Sequence, residues 1–202
     1  MGVEVGLREL KKQMTRDAIA TAALNLTRER GISNITVEEI ARAALVSVRT
    51  VSNYFASKED AVLAAGTMGT AEILEQFSAD PSDDPPLATL CRIVRDHARR
   101  NAEHLSHTAE MVELEEQNPT LKATRAARQA EFEELLRTRV AARTGTDAQA
   151  DLYPALVASA ATAAIMTALH LWTRAELPPE SLPDMLQDAF DIAAAGYPHP
   201  GK

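Results

Sequence analysis

Apolar residues recur every three or four positions along most of this 202-residue chain, which is the spacing of one face of an α-helix. Alanine and leucine, which favour helices, are abundant, and aromatic residues make up only 4% of the chain. The pattern therefore predicts an all-α protein of about nine helices. The first helix is predicted over residues 8–30, after a mobile arm of residues 1–7, with Gly31 as its C-terminal stop.

Residues 36–60 have the pattern of two short helices followed by the start of a third. Thr36 can cap the first of them, and Glu39, three residues later, completes a capping box. A tight turn then leads into a second helix, predicted over residues 48–55, which Ser47 can cap. Two short helices joined in this way form a helix-turn-helix, which presents its second helix to the major groove of DNA.

The second helix of this motif has one apolar side and one polar side. Val51 and Phe55 lie four residues apart and can pack inward. The other positions leave polar groups for a partner, and these are Arg49, Thr50, Ser52, Asn53 and Tyr54. The next helix is expected to begin at Ser57, where Lys58 and free backbone N–H groups both favour a phosphate.

The rest of the chain is predicted to be a series of helices with one clear break. A connecting helix is predicted over residues 57–77, followed by the break SADPSDDPP at residues 78–86, the candidate hinge. Later helices are predicted over residues 86–100, 103–116, 119–143, from 147 or 151 to 176, and 182–195. We therefore expect a DNA-binding domain of residues 8–60, with the connecting helix 57–77, and a helical C-terminal domain of residues 78–202.

The charge of the chain is unevenly distributed. The net charge is −8, but residues 8–60 hold nine Lys or Arg and seven Asp or Glu, a net +2. The remainder therefore carries −10. A mildly basic N-terminal segment is compatible with DNA binding, and we expect strong salt dependence only in a dimer, which doubles the phosphate contacts.

Cysteine usage and hydropathy indicate the compartment. Cys91 is the single cysteine, which excludes an intrachain disulfide and fits a reducing cytoplasm. No secretory signal peptide is predicted, so we expect the protein to be cytoplasmic. Residues 152–172 are long enough to cross a bilayer, but their alanines and interrupting polar residues favour a helix buried at a protein interface.

The last two predicted helices are too apolar to face water. Residues 158–164 are mostly small and allow another helix to approach closely, and the final helix has an apolar face. That face is formed by Met185, Leu186, Ala189, Phe190 and Ile192. Two copies that meet around a twofold axis would form a four-helix interface, so the pattern predicts a homodimer.

The N-terminal third of the chain resembles the DNA-binding domain of the tetracycline-repressor (TetR) family of bacterial transcription regulators. The residues that carry the resemblance are Ile40, Ala41, Ala44, Val46, Ser47, Thr50, Tyr54, Phe55, Ser57, Lys58 and Glu59. The sequence departs from the family pattern at Leu45, where the family usually has Gly, and at Ser52, where it often has Tyr. The resemblance also implies a dimer joined through the last helices.

The resemblance further implies which residues contact double-stranded operator DNA. Phosphate contacts are expected from Thr36, Ser47, Thr50, Tyr54 and Lys58. Base contacts are expected from Val48, Arg49 and Asn53. The C-terminal domain is then expected to bind a small-molecule effector and to form the dimer.

Several arginines suggest what the effector could be. Arg92, Arg95 and Arg99 share one helix face, Arg125 and Arg128 lie on a later helix, and these cations could hold an acyl-coenzyme A thioester. The alternative is a solvated basic stripe that pairs with Glu and Asp. His170, together with Trp172 and Tyr153, could line the pocket or be an ordinary interface residue.

His104, His107 and Glu110 have a spacing that could place metal ligands on one helix face, but such groups on a helix are more often solvated or hydrogen-bonded, and no metal site is predicted. No motif predicts a cofactor, a catalytic nucleophile or an enzyme. The sequence thus predicts a ligand-responsive transcription regulator, most simply a repressor that binds a palindromic operator as a dimer. The expected effector is a small apolar or acyl-CoA-like ligand. The alternatives are a nonspecific DNA binder and a helical small-molecule carrier or enzyme that no longer reads DNA.

Overall fold

The computed structural model describes residues 2–65, 69–101, 111 and 114–198. In this part of the chain there are nine α-helices with defined bounds, two short 3₁₀ turns and no β-strand. The helices are α1 (Gly2–Arg30), α2 (Val37–Ala43), α3 (Val48–Tyr54), α4 (Lys58–Ala65), α5 (Thr70–Ala79), α6 (Pro86–Arg100), α7 (Pro119–Thr144), α8 (Leu152–Arg174) and α9 (Leu182–Ala194). The predicted all-α class is confirmed.

The chain divides into two compact units. The first consists of Met1–Thr67 and Glu113–Arg125, and the second of Met68–Val112 and Ala126–Lys202. Residues 113–125 belong to the first unit, whereas the sequence predicts that they belong to the C-terminal domain.

The core of the first unit is built by α1 packing against α2 and α4, while α2 packs against α3. Its fully buried side chains include Ile19, Leu24, Ile35, Ile40 and Leu63. Val51 and Phe55 are also buried, as their spacing predicted. This packing fixes α3 by its apolar side and leaves its polar side exposed.

The core of the second unit forms where α6 and α9 meet and where both pack against α8. Its largest buried side chains include Phe77, Leu90, Leu136, Leu182 and Trp172. The indole N–H of Trp172 donates a hydrogen bond to the carbonyl of Pro178 at 3.1 Å, which satisfies the polar atom of this buried ring.

The predicted continuous helix over residues 57–77 is wrong. Helix α4 ends at Ala65 and α5 begins at Thr70, with Gly69 outside both. The backbone N–H of Gly69 donates to Nε2 of the buried His97 at 3.3 Å. A Cβ atom at position 69 would lie 3.2 Å from that imidazole, so glycine allows α6 to approach closely at the start of α5.

The N-terminus also differs from the prediction. Helix α1 already begins at Gly2, so residues 2–7, predicted to lie in a mobile arm, are helical. None of them is a proline, and an existing helix extends by one hydrogen bond per added residue, which makes elongation easier than nucleation. The helix predicted over residues 103–116 lies largely outside the described residues, although residues 111 and 114–117 are helical.

A side chain from the end of α7 forms hydrogen bonds with the segment between α5 and α6. Arg143 donates hydrogen bonds to the carbonyls of Asp80 at 3.2 Å and Ser82 at 2.5 Å, and to Oγ1 of Thr89 at 3.3 Å. Its guanidinium also lies 5.3 Å from the centre of the Phe77 ring. The sequence predicts the break between the two helices, but the contacts of Arg143 are evident only in the structure.

Asp80, at the start of the same loop, attaches the loop to α6 through its side chain. Its carboxylate accepts hydrogen bonds from the hydroxyl of Ser82 at 2.5 Å and from Arg92 at 2.6 Å. The Ser82 hydroxyl, followed by the Arg92 guanidinium, lowers the pKa of Asp80 far below its usual range. The carboxylate is therefore ionised wherever the protein is folded near neutral pH.

Helix α8 is the one described helix that is long and apolar enough to cross a membrane. Length and composition alone are weak evidence, because a core helix of a soluble protein meets the same criterion. One side of α8, including Val157, Ala161, Leu169 and Trp172, is buried in the core of its unit. The other side is exposed.

Candidate DNA-binding surface and effector region

The start of α2 is fixed by a complete capping box. The Thr36 hydroxyl accepts from the backbone N–H of Glu39 at 3.3 Å, and the Glu39 carboxylate accepts from the backbone N–H of Thr36 at 2.9 Å. Arg30 donates to the same carboxylate at 2.8 Å. These bonds, that of Arg30 first, lower the pKa of Glu39 and keep it ionised.

The turn between α2 and α3 has the geometry of a Schellman motif centred on Leu45. The N–H of Leu45 donates to the carbonyl of Arg42 at 3.2 Å, and the N–H of Val46 donates to the carbonyl of Ala41 at 2.9 Å. Leu45 has a φ of 56°, in the left-handed region that usually requires glycine. The helix-turn-helix geometry is therefore retained despite the absence of glycine.

Helix α3 is capped by Ser47 and presents a mostly polar surface. The Ser47 hydroxyl accepts from the backbone N–H of Thr50 at 3.0 Å and lies 2.7 Å from the Thr50 hydroxyl. Val48, Arg49, Ser52 and Asn53 are exposed, while Thr50 and Tyr54 are half-buried. In the described part of the chain, the side chains of Arg49 and Asn53 make no hydrogen bond or ion pair, so both are available to a partner.

Two aromatic side chains and a cation support the inner side of α3. The Tyr54 and Phe55 rings lie 6.5 Å apart, and the guanidinium of Arg16 lies 5.3 Å from the centre of the Phe55 ring. Arg16 therefore stabilises the helix-turn-helix from α1. This contact cannot be read from residue spacing, because Arg16 and Phe55 are distant along the chain.

Lys58, predicted as a phosphate contact, has an intramolecular partner. Its ammonium donates to the carbonyl of Ile35 at 3.0 Å and so connects α4 to the entrance of α2. The Ser57 hydroxyl accepts from the backbone N–H of Asp60 at 3.0 Å, which confirms the predicted cap of α4. A phosphate at this position would share the Lys58 ammonium with that carbonyl.

Replacing Leu45 with glycine is expected to stabilise the N-terminal unit by about 1 kcal/mol, because a side chain in the left-handed region is strained. Leu45 is 92% exposed, so its removal sacrifices almost no packing. Thermal unfolding followed by circular dichroism should show a higher midpoint for Leu45→Gly. A lower midpoint would mean that Leu45 makes a stabilising contact within the chain.

The arginines proposed to hold an effector are mostly paired with acidic side chains. Arg92 contacts Asp80 at 2.6 Å and Arg99 contacts Asp96 at 3.8 Å. Arg95 donates to Oε1 of Gln187, a residue of α9. The pairing agrees with the alternative interpretation, a basic stripe neutralised by Asp and Glu.

The remaining effector candidates are not all in the same unit. Arg125 contacts Glu115 at 2.7 Å in the first unit, whereas the half-buried Arg128 belongs to the second. Burial raises the pKa of Glu115, and the neighbouring Arg125 opposes that shift. His170 is exposed on α8.

The three residues of the metal hypothesis, His104, His107 and Glu110, lie outside the described residues. Among the residues that are described, no group of three His, Cys, Asp or Glu side chains could hold a metal ion. Cys91 is buried, and burial raises the pKa of its thiol, which disfavours the reactive thiolate.

An apolar groove of about 390 Å³, which we call the α8/α9 groove, lies along the exposed sides of α8 and α9. Its lining is dominated by alanine with a few larger side chains, and consists of Ala163, Ala164, Thr167, Ala168, Leu171, Met185, Asp188, Ala189, Ile192, Ala193 and Tyr197. Leu171, Ile192 and Tyr197 are about half exposed or more. These are the two helices that the sequence predicted to form a homodimer.

A capped helix-turn-helix with an exposed second helix, followed by a helical unit, defines a class of bacterial DNA-binding regulators. Comparison with known proteins agrees with that class. Residues 19–65 match the description "Bacterial regulatory proteins, tetR family", and residues 84–198 match "MftR C-terminal domain". The chain belongs to the TetR family of transcription regulators, as the resemblance of its N-terminal third implied.

Individual relatives support the same assignment over most of the chain. The HTH-type transcriptional regulator TcmR of Streptomyces glaucescens is 32% identical over 195 residues, covering 92% of this chain and 85% of TcmR. Thermus thermophilus FadR, a transcriptional repressor solved with lauroyl-CoA, is 27% identical with a TM-score of 0.55, covering 93% and 100% of the two chains. The SmeT–triclosan complex shares the fold at 20% identity, with a TM-score of 0.56 and 93% of each chain covered.

Proposed function

We propose that this regulator is a cytoplasmic repressor that binds a palindromic operator as a homodimer and is released by a small-molecule effector. The observation that carries the proposal is the surface of α3, where Arg49 and Asn53 are exposed beside a fully packed inner side. Arginine and asparagine are the side chains best suited to hydrogen-bond guanine and adenine edges in the major groove.

The proposed base contacts are made by three residues of α3. Arg49 and Asn53 would donate or accept hydrogen bonds, and Val48, 41% exposed at the start of α3, would supply apolar contact. Around them, the proposed phosphate contacts come from Thr36, Ser47, Thr50, Tyr54 and Lys58. The capped N-terminus of α3 adds a partial positive charge that favours a nearby phosphate.

Dimerisation through α8 and α9 would place two such helices on one side of the DNA. The α8/α9 groove supports this proposal, because apolar helix faces lined by alanine allow close packing around a twofold axis. Recognition helices in such dimers lie about one helical turn of DNA, ~34 Å, apart. A single copy would contact only one half-site.

An acyl-coenzyme A thioester is the effector class that we propose for the C-terminal unit. FadR, which is similar along nearly the whole chain, was solved with lauroyl-CoA. Within this unit, the cations that could meet its phosphates are Arg92, Arg95, Arg99 and Arg128, and His170 is the remaining candidate contact. Arg99 and its partner Asp96 are both exposed, so a phosphate could exchange with that carboxylate at little cost. At Arg92 a phosphate would also have to replace the 2.6 Å bond to the mostly buried Asp80.

The effector would act by favouring a conformation that does not match the operator. By linkage, it can release DNA only to the extent that it binds this conformation more tightly than the DNA-bound one. Native mass spectrometry of the purified dimer, followed by titration of the operator complex with lauroyl-CoA, tests both the binding and the release. Binding of lauroyl-CoA without any change in operator affinity would contradict the effector role.

Replacing Arg49 with alanine is expected to weaken operator binding about tenfold or more while leaving affinity for random DNA nearly unchanged. The guanidinium would otherwise contribute hydrogen bonds to one base pair per half-site. Lys58→Ala, in contrast, should weaken binding to all sequences and reduce the salt dependence. Gel-shift titrations with operator and random duplexes distinguish the two roles.

The matched control is Lys122→Ala, which removes an exposed cation of the same unit outside the helix-turn-helix. The Lys122→Ala variant should bind both the operator and random DNA with wild-type affinity. Because Lys58 also bonds the carbonyl of Ile35, its variant needs a thermal unfolding measurement to separate lost stability from a lost phosphate contact. Equal losses on operator and random DNA for Arg49→Ala would refute the base-contact role.

A further inference from the structure

Leu45 is an apolar residue that is both exposed and conformationally strained. No contact within the chain explains why a leucine occupies this position. Its φ of 56° is unfavourable for a leucine, and its side chain is 92% exposed. The backbone hydrogen bonds of the turn would form equally well with glycine, because they use only the N–H groups of residues 45 and 46. Packing of the leucine side chain within the chain therefore does not offset the energetic cost of its left-handed backbone conformation.

The position of Leu45 places it next to the residues expected to read DNA. It lies two residues before Ser47, the cap of α3, and three residues before the exposed Val48. In a helix-turn-helix, the N-terminal residues of the second helix reach the base edges. An apolar side chain at that end has one natural partner in the major groove, the C5-methyl group of thymine.

We propose that Leu45 is a specificity-determining residue that packs against a thymine methyl group in each operator half-site. The inference rests on the proposed function, because it requires the dimer to bind a specific operator through α3. The Leu45 side chain would be buried only in the complex. Its hydrophobic burial would therefore contribute to the free energy of DNA binding and not to the free energy of folding. Arg49 and Asn53 would supply the hydrogen bonds, and Leu45 would distinguish thymine from cytosine.

The test uses the full-length dimer and an operator obtained by selection from random duplexes with the wild-type protein. Two variants are compared with wild type, Leu45→Gly and Leu45→Asn, because both residues tolerate the left-handed conformation and neither carries an apolar side chain. Affinity is measured for the operator, for random DNA, and for operators in which each thymine of the half-site is replaced singly by uracil. Uracil lacks only the methyl group.

We expect both variants to bind the operator about tenfold more weakly, with unchanged affinity for random DNA and no fall in thermal midpoint. The wild type should lose about fourfold at one thymine-to-uracil position, the effect of one buried methyl group, and both variants should be insensitive to that replacement. Loss of this sensitivity couples Leu45 to the methyl group, as in a double-mutant cycle.

Two outcomes would overturn the inference while leaving the proposed function intact. One is a variant that binds the operator as tightly as the wild type. The other is a variant that binds more weakly but keeps the wild-type sensitivity to uracil, which would indicate a sugar or phosphate contact instead. A wild-type protein that yields no preferred sequence in the selection would overturn both the proposed function and the role of Leu45.

Discussion

Replacing Ala163 with glutamate is expected to convert the proposed dimer into monomers and to weaken operator binding by at least about a hundredfold. Ala163 is exposed on α8 and lines the α8/α9 groove. If a second copy covers this groove, the new carboxylate becomes buried without a partner, and its desolvation costs several kcal/mol per subunit. Each monomer would then bind one half-site and would lose the gain in affinity that a dimer obtains by binding both half-sites at once.

Sedimentation velocity measures the change in mass, and a gel-shift titration with the operator measures the change in affinity. The matched control is Ala142→Glu, which adds the same charge at an exposed alanine of α7 that does not line the groove. The control should remain dimeric and bind normally. If Ala163→Glu remains a dimer with full operator affinity, the subunits must associate through another surface.

The second large effect is expected from replacing Arg143 with methionine, which should lower the free energy of unfolding by about 3 kcal/mol. The Arg143 side chain is only 16% exposed and donates hydrogen bonds to the carbonyls of Asp80 and Ser82, between α5 and α6, and to the hydroxyl of Thr89 in α6. Methionine fills similar space over the Phe77 ring but donates no hydrogen bond. The partly buried acceptors would be left unsatisfied.

Urea unfolding followed by circular dichroism measures this loss, since the unfolding free energy follows from the denaturant midpoint and slope. Arg139→Met is the matched control, because Arg139 lies one turn earlier on α7, is exposed, and makes a single hydrogen bond to the hydroxyl of Ser78 at 3.1 Å. It should cost less than about 1 kcal/mol. Similar losses for the two variants would show that the loop is not anchored by Arg143.

The local signals in the sequence were sufficient to predict most of the helices and the helix-turn-helix. The capping box of Thr36 and Glu39, the cap at Ser47 and the inward pair Val51 and Phe55 all act within four residues. Such interactions depend on helix geometry alone, so spacing along the chain is enough to recognise them. The start of α7 at Pro119 is a further local signal that the structure bears out.

The partners of the charged residues could not be predicted from the sequence. Arg92, Arg95 and Arg99 share a helix face as expected, but Asp80, Gln187 and Asp96 are their partners. Two of these partners come from other segments of the chain. Residue spacing along a helix therefore shows which cations share a face. It does not show whether acidic side chains from other segments neutralise them or whether a ligand can reach them.

The sequence by itself determined the helical class, the capped helix-turn-helix and the exposed residues of α3, because the periodicity and caps that specify them are local. Only the tertiary structure decided that the helix predicted over residues 57–77 is interrupted at Gly69, where the imidazole of His97 meets the backbone. It also decided that Arg143 anchors the loop before α6 and that Leu45 adopts a left-handed conformation. These features arise from contacts between distant segments or from the closure of a turn, and neither is specified by residue spacing.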